Sequence, residues 1–200
     1  MNQNDGYIAY IVNPKSGASS ANRVVAEFKR YLLAQGFDVR TMFTQSLTHA
    51  GELATKANVM LGLEALNRFE CYFLNTMADA AKYVKRVDHP NCQILFDTFH
   101  ANIEEQDPIG CITDNLDVIK HVHISENDRG IPGKGHIDFP STFKALRSGG
   151  YDNWLVIEAF GRALPDLAAA TRVWRDFFPS RDGVYIEGLK FINEQWQAAG

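Results

Sequence analysis

Four residues with metal-binding side chains recur at the ends of short apolar runs: Glu64 in LGLEALNRFE, Asp97 in ILFDTFH, His123 in HVHIS and Glu158 in LVIEAF. They are spaced 33 residues from Glu64 to Asp97, 26 on to His123 and 35 on to Glu158, each interval close to the ~30 residues of one βαβ unit. One ligand per unit places all four on the same sheet edge. Charged groups inside apolar strands are costly unless paired or coordinated, and three converging carboxylates repel one another. A divalent cation removes that repulsion. Three carboxylates and one imidazole suit Mn²⁺ first, with Co²⁺ or Mg²⁺ as alternatives, rather than thiolate-held structural zinc.

Such a set can do a particular chemistry. Inverting a carbon beside a ketone means removing its proton on one face and returning one on the other, with the enediolate oxygens held by charge. Glu64 and Glu158, on the outer two of the four strands, are placed to flank a substrate whose ketone and hydroxyl oxygens chelate the cation, as the proton-exchanging pair. Asp97 and His123 then serve as ligands alone.

The elements that position these residues read as alternating strand-length apolar runs and helix-period segments, the signature of a parallel α/β sheet. Six βα units are expected. Their strands are Tyr7 to Asn13, Asp38 to Phe43, Met60 to Leu66, CQILFDTF, KHVHIS and NWLVIEAF. The helices are placed at Ala21 to Gln35, Thr48 to Ala57, Met77 to Val87 behind an N-cap at Thr76, Pro108 to Ile119, Ser141 to Arg147, Leu164 to Phe178 and Asp182 to Gln197. In parallel sheets with right-handed crossovers, sites lie on the loops leaving the strands' C-terminal ends.

Composition narrows the partners. A hydrophobic content of 46% over 200 residues supports a sizeable core. A net charge of -4 without a basic run gives no footprint for nucleic acid or a membrane surface. No window reaches ~18 uninterrupted apolar residues. Three widely spaced cysteines, Cys71, Cys92 and Cys111, fit a reducing cytoplasm better than a disulfide framework. GIPGKG, lacking Ser or Thr after its Lys, reads as a turn rather than a phosphate loop.

The strings LEALNRFE, VDHPN, LFDTFHANIEE, HVHISENDRGIPGKGH, GYDNWLVIEAF and VWRDFF resemble the C-terminal half of the D-tagatose/D-psicose 3-epimerase family, which has a xylose-isomerase-like barrel. The resemblance implies that Glu64, Asp97, His123 and Glu158 hold a metal, and that Glu70, His100 and Arg129 contact a ketose. It covers four of the family's eight βα units. Residues 1–59, with YIVNPKSG and SLTHAGELATKA, instead resemble the start of a diacylglycerol kinase catalytic domain, which implies a phosphate near Lys15 to Gly17. The Gly-Asp-Gly-Thr loop of that family is absent from the sequence.

The expected architecture is therefore half of a TIM-type barrel, residues 60–200, joined at Asn58 to Met60 to two doubly-wound-type βα units. It is read as a chimera in one compact body. An incomplete barrel and a barrel completed by a second copy of the chain are the alternatives. Three functions stay open: a metal-dependent ketose 3-epimerase of full or weakened activity, a metal site without turnover, and a nucleotide- or lipid-binding protein.

Overall fold

The computed structural model describes residues 39–200. In chain order these form α1 (Val39–Lys56), β1 (Leu61–Glu64), α2 (Met77–Val87), β2 (Cys92–Asp97), α3 (Thr98–Glu104), α4 (Gly110–Asn115), β3 (Ile119–Ile124), α5 (Phe139–Ser148), β4 (Trp154–Ile157), α6 (Pro165–Ala170) and α7 (Arg181–Ala198). The strand expected at Tyr7 to Asn13, the helix at Ala21 to Gln35 and the Lys15 to Gly17 segment lie outside the described residues.

The four strands form one parallel sheet in the order β1-β2-β3-β4. Residues directly opposite in register point to the same face. Glu64 stands opposite Leu95, Asp97 opposite His123, and Ile124 opposite Ile157. One face of the sheet, bearing Ile94, Phe96, Val122 and Ile124, is sealed under helices that contribute Ala80, Val84, Ile112, Phe143 and Leu146. Phe143 stacks on Phe139 with ring centroids 6.1 Å apart and meets the edge of Trp196, which ties α5 to α7. The opposite face carries Asp97 and His123. On β4 it also carries Trp154 and Val156, which stand level with His121 and His123; Trp154 is 76% exposed.

α2 shows how local sequence sets an element. Its buried residues Met77, Ala80, Ala81, Val84 and Val87 recur at helical spacing. The Thr76 hydroxyl accepts from the Asp79 N–H at 3.2 Å, and the helix ends on Asp88 in the left-handed region at φ 52°.

Three expectations change. The strand expected at Asp38 to Phe43 is, from Val39 on, the start of α1, and the helix start expected at Thr48 falls inside that helix. No Gly or Pro interrupts residues 39–50, so nothing breaks the helix, and an alternation over six residues is too short to impose a strand. Thr48 and Thr55 turn their hydroxyls back onto the carbonyls of Thr44 and Gly51 at 3.0 Å each. Gly51 lets α1 lie against the end of α2, since a Cβ there would sit 2.5 Å from His89 Nδ1. The helix expected over Pro108 to Ile119 contracts to the six residues of α4. Its start is delayed by Asp107, whose Oδ1 accepts from Gly110 N–H at 2.8 Å, and its end gives way to β3 at Ile119. The helix expected over Leu164 to Phe178 contracts to α6, opened by Pro165 and followed by Arg172 at φ 62°. Among the described residues, no helix is long and apolar enough to cross a membrane.

Candidate metal centre

Glu64 is the last residue of β1, Asp97 the last of β2, His123 the last but one of β3, and Glu158 follows β4 directly. Each contributes one ligand atom to a group in which all such atoms lie within 4.8 Å of one another. From His123 Nδ1 the carboxylate oxygens are 3.2 Å away at Glu158, 3.5 Å at Asp97 and 3.9 Å at Glu64. Glu64 Oε1, Asp97 Oδ2 and His123 Nδ1 are buried and without a hydrogen-bond partner. Buried polar atoms are ordinarily satisfied. Three orphans turned toward one another, with hard oxygen donors and an imidazole, fit a divalent cation.

The electrostatics point the same way. Burial, followed by the charges of Asp97 and Glu158, pushes the Glu64 carboxyl up to about 8. Burial works to lower the His123 imidazole, but the carboxylates of Asp97 and Glu158 outweigh it and hold the ring up at about 10. Glu158 goes the other way: burial works to raise it, and His123 with Arg129 bring it below its ordinary value. Without a cation, then, the cluster holds itself together with protons.

A second ring of groups surrounds this one. His100 lies on α3, and its Nδ1 accepts from the Asn67 backbone N–H at 2.9 Å. That bond leaves the proton of a neutral ring on Nε2, which stands 3.8 Å from Glu64 Oε1. Burial keeps the ring neutral by lowering its affinity for a second proton, and the Arg129 charge adds to that effect. Arg129 comes from the loop after β3, in the left-handed region at φ 64°. Its Nη1 donates to Glu158 Oε2, and its Nη2 to Glu70 Oε1 at 3.2 Å; Nη2 is also 3.3 Å from His100 Nε2. The guanidinium lies between two aromatic faces, 3.9 Å from the Phe99 centroid and 4.7 Å from that of Phe160. Glu70 is steadied in turn by the Asn67 side-chain amide at 2.9 Å.

The structure thus brings Glu64, Glu70, Asp97, His100, His123, Arg129 and Glu158 into one connected cluster. Asn67, Phe99 and Phe160 belong to it too and were not singled out from the sequence. The two aromatics had a signal: each follows a strand-end carboxylate by two residues, in DTF and EAF. Asn67 had none.

A model of the family described as a xylose isomerase-like TIM barrel matches residues 18–195. The chain belongs to this family. Among its relatives, a probable ketose 3-epimerase of Synechocystis sp. is 36% identical over 146 residues, which cover 73% of this chain and 51% of that protein. A 3-dehydro-D-guloside 4-epimerase of Escherichia coli is 38% identical over 124 residues, 62% of this chain and 47% of that one. The solved structure of an L-ribulose 3-epimerase superimposes with a TM-score of 0.77 at 33% identity, covering 80% of this chain and 55% of that one. The chain spans about half the length of these relatives. Its four parallel strands are accordingly part of a TIM-barrel-like sheet, with the candidate metal centre at the strands' C-terminal ends, where sites of this fold lie.

Proposed function

We propose that this member of the xylose isomerase-like barrel family binds Mn²⁺, or Co²⁺ or Mg²⁺ in its place, through Glu64, Asp97, His123 and Glu158, and epimerises a ketose at carbon 3. The observation that carries the reading is the convergence of three orphaned buried ligand atoms within a single group of four. The bound cation would supply Lewis-acid polarisation of the ketone. The chain supplies the rest. Glu64 and Glu158, on the two outer strands, exchange the carbon-3 proton from opposite sides, one removing it while the other returns one. His100, with its proton on Nε2, and Arg129 donate to sugar oxygens, and Glu70 accepts from a hydroxyl. The activities for which the relatives are named, on ketoses and on a keto-sugar glycoside, support a keto-sugar substrate. The thiols of Cys71, Cys92 and Cys111 are free, which suits a reducing cytoplasm.

The test is to load the protein with Mn²⁺ in D₂O and supply D-fructose. D-Psicose carrying deuterium at carbon 3 is the expected product. Manganese binding with neither product nor exchange overturns the reading.

The exposure of Trp154, on the sheet face that bears His123, favours a second reading: metal binding without turnover. A wall open to water weakens substrate alignment, and a misplacement of ~1 Å costs up to ~100-fold in rate. The same assay separates the two.

A further inference from the structure

The loop that delivers Arg129 is built around a second, deeper carboxylate. Glu126 is 1% exposed and lies three residues beyond His123, outside the metal cluster. Its Oε1 accepts from the backbone N–H of Asn127 at 3.0 Å and of Ile137 at 3.2 Å, and its Oε2 from Gly133 N–H at 2.9 Å. One side chain therefore closes both ends and the middle of a twelve-residue loop, Glu126 to Ile137. The close fit is specific: a Cβ on Gly135 would lie 2.5 Å from Glu126 Oε1, and Gly133 takes φ +84°, a backbone conformation that favours glycine.

Within this loop Arg129 N–H donates to the Glu126 carbonyl at 2.9 Å, and the Arg129 carbonyl accepts from Phe160 N–H at 3.0 Å. The left-handed backbone of Arg129, unfavourable for a side chain of its size, thus persists because the surrounding bonds over-determine it. We propose that Glu126 is a positioning residue for substrate binding: its carboxylate holds the loop in the one conformation that inserts the Arg129 guanidinium between Phe99 and Phe160 and onto Glu158 and Glu70. The inference rests on the reading of Arg129 as a sugar contact, and it reaches beyond that reading by assigning what sets Arg129 in place.

Glu126→Gln keeps the volume and removes one acceptor, since an amide NH₂ must then face a backbone N–H whichever way it turns. In metal-free protein, the Arg129 Nε–H resonance is expected well upfield from the ring currents of Phe99 and Phe160, identified by its loss in Arg129→Met. Glu126→Gln should abolish that shift. Mn²⁺ affinity should not fall, because the four side chains stay at the strand ends and withdrawal of the Arg129 charge from Glu158 favours a cation there, while D-psicose affinity of the Mn²⁺-loaded protein should fall at least about tenfold. A general loss of structure would weaken both together. If Glu126→Gln does not fold, Glu126→Asp, which keeps the charge but retracts the oxygens by one methylene, is expected to give the same pattern. An unmoved Arg129 resonance overturns the proposal, as does a displaced Arg129 with undiminished sugar affinity. Absence of D-psicose binding to the wild-type protein refutes the epimerase reading instead, and the resonance still decides whether Glu126 places Arg129.

Discussion

The carboxylate of Asp97 turns only one of its oxygens toward His123. Oδ1 accepts from the Phe99 and His100 N–H groups at 2.7 and 3.1 Å and caps α3, while Oδ2, without a hydrogen-bond partner, stands 3.5 Å from His123 Nδ1. One side chain starts a helix and offers a ligand at once.

Asn is as good a cap as Asp, so Asp97→Asn separates the two roles. Its metal-free melting temperature should stay above that of Asp97→Ala, because the cap on α3 is kept, and its Mn²⁺ affinity should collapse. Asp97→Ala should lose both, with about 0.5–2 kcal/mol from the cap alone. Calorimetric titration and thermal melts check the pair.

Protons and cation compete for the cluster. The folded-state values of Glu64, about 8, and His123, about 10, lie above their ordinary values of 4.5 and 6.5. At these two groups folding therefore takes up protons between pH 4.5 and 10, and their contribution to metal-free stability should fall as pH rises through that window. Metal binding must expel the same protons, so Mn²⁺ affinity should climb from about pH 6 to about pH 9. Titrations at about pH 7 in buffers of differing ionisation enthalpy should register proton release; none at all would contradict this account.

Glu64→Gln should do opposite things to stability and turnover. Burial and two neighbouring carboxylates disfavour the Glu64 charge, so at about pH 9, where the wild-type carboxyl is ionised, the metal-free variant should melt above the wild type. Epimerisation and deuterium exchange should vanish.

Arg129→Met leaves Glu158 and Glu70 facing each other without their shared cation. Breaking a buried pair in this way costs about 3–5 kcal/mol, which urea unfolding of the metal-free protein should register. Bound Mn²⁺ should restore much of the loss through Glu158.

What the sequence made legible was the part written in periodicity. Carboxylate and imidazole side chains one unit apart at strand ends brought out Glu64, Asp97, His123 and Glu158, whose ligand-type atoms the fold gathers within 4.8 Å of one another, and Thr76 announced the start of α2. What it hid depends on partners far along the chain or on the exact point where one element gives way to the next. The seam between α1 and β1 is the left-handed turn at Asn58, φ 54°, yet nothing in VRTMF says that its residues belong to a helix. The run CQILFDTF reads as strand to its end, but the chain turns helical at Thr98 because Asp97 caps α3, and that turn is what swings His100 in beside Glu64. Glu126 reads as one more polar residue in ENDRG, and only the folded loop reveals the three N–H groups it gathers.

The pairing offsets carry a final consequence. Glu64 stands opposite Leu95, two residues below Asp97; Asp97 is level with His123; and Glu158 lies two residues beyond Val156, the partner of His123. The ligands mount the sheet like a staircase, and on a flat sheet the lowest and highest steps would be about 13 Å apart along the strands. They meet because the strands slant and the sheet curls. Whatever flattens that curl, even at a strand far from these four residues, pulls the staircase straight and the candidate metal centre apart.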